Sequence, residues 1–138
     1  SSKLILGDIN ETVSDFFDKY NPPPLGFISF DLDYYSSTIK SLKILNFEEH
    51  RYLPRIECYL DDVSSYNLLS ASNDTGVLAA VNEFNLSSDV KLLKKIDVGR
   101  LRKLHGNWFE TIFVAHFFEH SLYNKSLGVY NALPLRDE

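Results

Sequence analysis

The chain has 138 residues, of which 44% are hydrophobic and 14% aromatic, and its formal net charge is −5. This length supports one hydrophobic core but not two, and the absence of a basic run excludes the electrostatic footprint of a nucleic-acid-binding protein. No apolar stretch reaches the roughly 18–20 residues that cross a bilayer, and no signal peptide is visible, so we expect a single cytoplasmic domain over 1–138 with no nucleic-acid or membrane partner.

In the first half of the chain, short apolar runs alternate with segments whose apolar residues recur at helical spacing. Residues 3–9 predict a short strand, and residues 10–20 predict a helix. The prolines of 21–26 predict a rigid break. Residues 27–33 are short, apolar and aromatic, which predicts a strand, and residues 36–47 predict a second helix. The first half therefore reads strand, helix, strand, helix.

The second half continues this alternation. Residues 55–63 predict a strand, 64–75 a loop and 76–85 a helix of good helix formers. Residues 88–106 mix helical and β-like pieces, while 107–120 contain the longest aromatic run and predict a buried strand. The remaining tail is expected to be irregular. Strands that alternate with helices predict an α/β fold with a mainly parallel sheet and helices on both faces.

Carboxylates follow two of the predicted strands. Asp31 and Asp33 end the strand at 27–33, and Asp61 and Asp62 end the next strand. Because the carboxyl ends of parallel strands meet at one edge, which is where open α/β sheets bind ligands, we expect these acids to be neighbours. Crowded carboxylates raise one another's pKa values, and a hard cation such as Mg²⁺ or Ca²⁺ suits them. The alternative is ordinary helix caps or solvated loop residues.

Strand alternation limits which of these acids can converge. Asp31 and Asp33 point to the same side of a regular strand, whereas Asp61 and Asp62 point to opposite sides. One of the latter pair must turn away, unless the strand has already ended.

The motifs around these acids resemble a known family. "GFISFDLDYYSSTIKSLKIL", followed by "IECYLDDV" and "GVLAAVNEFN", is similar to the macrocin O-methyltransferase group of S-adenosylmethionine-dependent enzymes. The shared pattern is D-x-D-x-Y, an S-T helix start, a strand ending in D-D and a helix ending near E-F, over about residues 5–85. The resemblance implies a partial Rossmann-like methyltransferase fold with an antiparallel C-terminal strand.

The resemblance also implies a site. It assigns Mg²⁺ to Asp31, Asp61 and Asp62, and Asp31 could in addition serve as the general base for a small-molecule hydroxyl acceptor. Asp8 is the candidate contact for the adenine of S-adenosylmethionine, with a plain turn residue as the alternative. The expected activity is a metal-dependent O-methyltransferase, or the C-terminal fragment of one.

The sequence departs from that family in its first part. No G-x-G loop for the cofactor occurs among the 6 glycines, and the family's first strands and helices have no counterpart here. We therefore expect a domain that lacks its N-terminal cofactor motif. Half of such a sheet exposes a strand edge, which predicts a homodimer or another chain at that edge.

Two other functions are open. One is a catalytically inactive methyltransferase-like domain that acts as an interaction module. The other, less favoured, is a haloacid-dehalogenase-like phosphatase, because "FISFDLD" resembles the aspartyl nucleophile motif of that class. The following "YYSST" fits that motif poorly, since a Gly-Thr turn is expected there.

The remaining reactive side chains have structural interpretations. Cys58 lies in an apolar run and is predicted to be a small buried side chain, His105, His116 and His120 are predicted to be packed or hydrogen-bonded imidazoles, and His50 is predicted to lie on the surface. Two tyrosines, Tyr34 and Tyr35, lie beside the acids; the alternatives are that one of them lines an acceptor pocket or that they pack in the core.

Overall fold

The computed structural model describes residues 2–63, 72, 74–94 and 111–125. The elements within these ranges are α1 (Ile9–Ser14), α2 (Phe16–Tyr20), β1 (Leu25–Phe30), α3 (Tyr35–Ser41), β2 (Tyr52–Leu60), α4 (Gly76–Ser87), β3 (Lys91–Lys94) and β4 (Ile112–His116). Three short 3₁₀ turns accompany them, at Leu42–Leu45, Glu49–Arg51 and Asp61–Val63.

The four strands form one mixed sheet in the order β1-β2-β4-β3. β1 and β2 are parallel, whereas β4 runs antiparallel to both of its neighbours. The predicted α/β class is therefore confirmed, and so is an antiparallel strand late in the chain. The sheet is mixed, however, rather than mainly parallel.

The pairing of β1 with β2 contains a register slip. Leu25 pairs with Tyr52 and Phe27 pairs with Glu57, so Gly26 alone on β1 lies opposite Leu53–Ile56 on β2, one residue against four. Pro54 lies in this interval, where a residue without an N–H is tolerated because the ladder is interrupted. Beyond the slip the register is unbroken to the ends of both strands.

The core lies on one face of the sheet. Alternate residues of β2 are buried, while Leu53, Arg55 and Glu57 between them are exposed. α4 buries one helical stripe against the covered face; its residues are Val77, Ala80, Val81 and Phe84. α2, α3 and α4 contribute residues to this one core, so the prediction of helices on both faces is not confirmed by the described part of the chain.

Tyr52 connects the segment before β2 to this core. Its hydroxyl donates to the carbonyl of Ile44 at 2.6 Å and accepts from the backbone N–H of Phe47 at 3.0 Å. Its ring stacks on Phe117, with the centroids 4.3 Å apart, and meets the edge of Phe17 at 5.6 Å. The start of β2 is thus held by a single buried side chain with both polar and aromatic contacts.

The predicted strand at 3–9 is wrong. Residues 2–8 carry no strand, and Leu4 and Leu6 are 81% and 83% exposed. An alternating apolar segment becomes a strand only when another strand offers it hydrogen bonds, and none of the described strands pairs with it. Helix α1 begins instead at Ile9, directly after this segment.

The other predicted elements are confirmed with shifted ends. The helix at 10–20 is interrupted at Asp15 and ends at Tyr20, and the next residue, Asn21, has a left-handed backbone (φ 39°) before the prolines. The helix at 36–47 is α3 followed by a 3₁₀ turn. The predicted loop at 64–75 lies mostly outside the described residues, as do the later parts of 88–106 and of the tail.

No helix in the described ranges combines the length and the apolar character needed to cross a bilayer.

Candidate functional site

The ends of β1 and β2 lie side by side. Phe30, the last residue of β1, pairs with Leu60, the last residue of β2. Asp31 and Asp61 follow directly, so the predicted acids leave two parallel neighbours at the same level. Because all of these carboxylates are exposed, the acidic edge of the sheet faces solvent.

β2 ends before its two aspartates. Asp61–Val63 form a 3₁₀ turn, and Asp62 has φ −87° and ψ 25°. The alternation that would send Asp61 and Asp62 to opposite sides therefore does not apply. The turn instead places the carboxyl group of Asp62 close to that of Asp33.

The acids perturb one another. Partial removal from water, the close approach of the Asp33 carboxyl group and the charges of Asp33, Asp61 and Asp31, in that order, raise the pKa of Asp62. The carboxylates at this edge therefore repel one another when all of them are ionised.

Two tyrosine hydroxyls donate to acids close to this edge. Tyr59 donates to Oδ1 of Asp61, and this bond, with burial and the nearby acids, raises the pKa of Tyr59. Tyr35 donates to Oε2 of Glu83 at 2.5 Å, and this bond raises the pKa of Tyr35. The second bond connects the start of α3 to α4, which are distant in sequence.

Hydroxyl groups fix the first turn of α3. Ser37 Oγ and Thr38 Oγ1 each donate to the carbonyl of Tyr34 at 2.9 Å. Thr38 is fully buried, while Tyr34 is 72% exposed. Tyr34 and Tyr35 are therefore not core residues, and the core alternative for this pair is wrong.

The donor set has the chemistry of a hard-cation site, because it consists of carboxylate oxygens. Its side chains are not gathered around one point: in the part of the chain that the structure describes, no group of three or more His, Cys, Asp or Glu residues is arranged to hold a metal ion. Asp62 lies close to Asp33, and the charges of Asp61 and Asp31 also raise its pKa. A cation at this edge would offset the repulsion among these carboxylates.

Asp8 has a structural role. Its Oδ1 accepts from the backbone N–H of Asn10 at 2.8 Å, which caps the N-terminus of α1. A cleft of about 290 Å³ lies next to it, between the N-terminal segment and α1–α2, but Asp8 does not line this cleft. The structure thus accounts for Asp8 as a helix cap.

Cysteine and histidine do not contribute to the acidic edge among the described residues. Cys58 is buried, and its burial raises the pKa of the thiol to about 12. His116 Nδ1 lies 2.7 Å from the hydroxyl of Tyr123, and His120 accepts from the N–H of Leu122 at 3.0 Å. His50 is exposed. These four predictions are confirmed, and His105 lies outside the described residues.

Sequence reasoning did not assign roles to Asp33, Tyr59 and Glu83. Strand alternation gives a signal for Tyr59, since residues two apart share a face and Tyr59 lies two residues before Asp61. The meeting of the two parallel strand ends predicts that Asp33 lies near Asp62, but no comparable signal exists for the Tyr35–Glu83 contact, which joins residues far apart in the chain.

Comparison with models of known protein families, with curated proteins and with solved structures gave no match. The class that the structure defines is an α/β domain with a mixed four-stranded sheet and an acidic edge.

Proposed function

We propose that this chain is an S-adenosylmethionine-dependent O-methyltransferase domain, or the C-terminal part of one, that uses Mg²⁺. The observation that supports this most is the alignment of β1 and β2, whose parallel ends deliver Asp31 and Asp61–Asp62 to one edge. The antiparallel β4 agrees with the partial Rossmann-like fold that the resemblance implies.

A second observation joins separate pieces of the family pattern. Tyr35, the tyrosine of D-x-D-x-Y, donates to Glu83 of the E-F pair, and Phe84 beside it is buried in the core. The S-T hydroxyls bond the carbonyl before α3. These residues therefore have contacts that hold the acidic edge against α3 and α4.

Asp31, Asp61 and Asp62 would hold the metal ion. When bound, the ion would lower the pKa of an acceptor hydroxyl, and S-adenosylmethionine would be the source of the methyl group. Asp62 would turn from Asp33 toward the ion, which its exposed position allows. Asp31 would accept the proton of the acceptor hydroxyl as general base. By the resemblance, Asp8 would contact the adenine of S-adenosylmethionine, while one of its carboxylate oxygens caps α1.

Calorimetric titration with Mg²⁺ tests the acidic edge. We expect the wild-type chain to bind the ion and Asp62→Asn to bind it at least about tenfold more weakly, which is about 1.4 kcal/mol. The matched control is Asp89→Asn, since Asp89 is an exposed acid between α4 and β3, and it should bind like the wild type. Equal affinity in wild type and Asp62→Asn would contradict the proposed metal site.

Titration with S-adenosylhomocysteine, with and without Mg²⁺, tests the reaction class. The methyltransferase proposal requires that this product analogue bind. If the chain bound Mg²⁺ but not S-adenosylhomocysteine, it would have a cation site but would not be a methyltransferase.

The interaction-module alternative is favoured by one observation. Among the described residues, β1 has a strand neighbour on one side only. A chain that binds neither S-adenosylhomocysteine nor Mg²⁺ but associates through this edge would have that function.

A further inference from the structure

The two outer strands of the sheet have different free edges. At β3, the side-chain amide of Asn85 accepts from the N–H of Leu92 at 2.7 Å and donates to the carbonyl of Leu92 at 2.9 Å. These are the bonds that a further strand would make. Lys91 and Lys94 stand at the two ends of β3, and charged lysines also oppose edge-to-edge pairing. The β3 edge is therefore closed.

The edge at β1 has none of these protections. Its sequence, LGFISF, is uncharged and contains no proline, and among the described residues no group bonds its outer edge. Every second residue of the strand directs its N–H and C=O away from β2. Phe27 is 58% exposed on the open face of the sheet. An uncharged, apolar edge of this kind is a pairing site for another strand.

We propose that β1 pairs with β1 of a second copy of this chain, antiparallel and centred on Phe27. This inference does not depend on the proposed enzymatic function. Such pairing joins two four-stranded sheets into one continuous sheet about a twofold axis. Two copies of β1 are complementary to each other, because antiparallel pairing requires only that both strands be free, uncharged and of equal length.

Charge determines the direction of the two strands. A parallel arrangement would bring the acidic ends that follow Phe30 in both copies side by side, and their carboxylates would repel one another. An antiparallel arrangement separates the two acidic ends by about the length of the strand, roughly 20 Å for six residues.

Proline and aromatic residues determine the register. Pro24 has no N–H, so pairing ends beside it. Pairing centred on Phe27 uses Leu25–Ser29 of each copy and makes about four to six backbone hydrogen bonds. It also places the two exposed Phe27 rings directly opposite each other on the open face, where aromatic side chains stabilise paired strands.

Sedimentation equilibrium of Phe27→Lys and Leu93→Lys tests the proposal. Leu93 is the matched control, because it is 45% exposed, lies on the other edge strand and shares the open face. We expect the wild type and Leu93→Lys to have twice the monomer mass of 15.9 kDa. Phe27→Lys places like charges opposite each other and should weaken dimerisation about tenfold or more.

A wild type that stays monomeric at every attainable concentration overturns the proposal. Dimers that persist in Phe27→Lys, or that are lost equally in both variants, also overturn it, since the latter result places the contact on the open face. Circular dichroism checks that both variants fold.

Disulfide cross-linking is a second measurement that does not need a destabilising charge. Directly opposed strand residues have Cα atoms about 4.5–5.5 Å apart, which suits a disulfide. Phe27→Cys should therefore cross-link under mild oxidation, and Leu93→Cys should not. Cys58 does not compete because it is buried. The reverse pattern overturns the proposal.

Discussion

Replacing Tyr52 by phenylalanine tests how the start of β2 is held. The change keeps the ring that stacks on Phe117 but removes the hydroxyl. The carbonyl of Ile44 then loses its donor from Tyr52, and the N–H of Phe47 loses its acceptor. At about 1 kcal/mol for each bond, the expected loss in free energy of unfolding is about 2 kcal/mol.

The same loss can be expressed as a shift in melting temperature. An unfolding entropy of about 2.1 cal/mol/K per residue gives about 0.29 kcal/mol/K for the 138 residues of the chain. A loss of about 2 kcal/mol thus lowers Tm by about 7 °C. Urea unfolding and thermal unfolding, both followed by circular dichroism, measure the two quantities independently.

Tyr34→Phe is the control, because Tyr34 is 72% exposed and exposed substitutions stay within about 0.5 kcal/mol of the wild type. If Tyr52→Phe also stayed within that limit, the two hydrogen bonds of its hydroxyl would not stabilise the fold, and our account of the β2 start would be refuted.

Three further predictions concern titratable side chains. Because the pKa of Asp62 is raised in the folded state, the free energy of unfolding falls as pH rises above the ordinary pKa of 3.8. Asp62→Asn should therefore be more stable than the wild type in urea unfolding at pH 7 and equal to it at pH 3. Burial and Arg55 lower the pKa of His116 from 6.5, so the folded state loses stability as pH falls below that value, and His116→Gln should lose less between pH 7 and pH 5. Cys58, with its pKa raised to about 12, should react with a thiol reagent in urea but not in the folded protein; rapid labelling without urea would contradict the burial that we describe.

The sequence predicts those parts of the fold that depend on neighbouring residues. α4 presents Val77, Ala80, Val81 and Phe84 at helical spacing, and this stripe is the buried one. The acids at the ends of β1 and β2 were also predicted, but the predicted strands included them, whereas the observed strands stop before them at Phe30 and Leu60, since unpaired carboxylates are costly to bury in a strand.

Features that depend on distant residues were not predictable. Residues 3–6 have the pattern of a strand, but Leu4 and Leu6 stay exposed because no described strand pairs with them. The contact of Asp62 with Asp33 depends on the backbone of the turn after β2, for which strand alternation makes no prediction. The open face of the sheet likewise depends on how the helices pack and not on any one of their sequences.

The register slip between β1 and β2 determines where their acidic ends meet. If the alignment of Leu25 with Tyr52 continued, Phe30 would lie opposite Glu57, and the residue after it would fall about 10 Å short of Asp61. The slip therefore accommodates three additional residues of β2 and keeps the far ends of the two strands level. A chain shortened by three residues between Leu53 and Ile56 would pair without a slip and still place Phe30 opposite Leu60, whereas closing the slip in the full-length chain would separate the two acidic motifs.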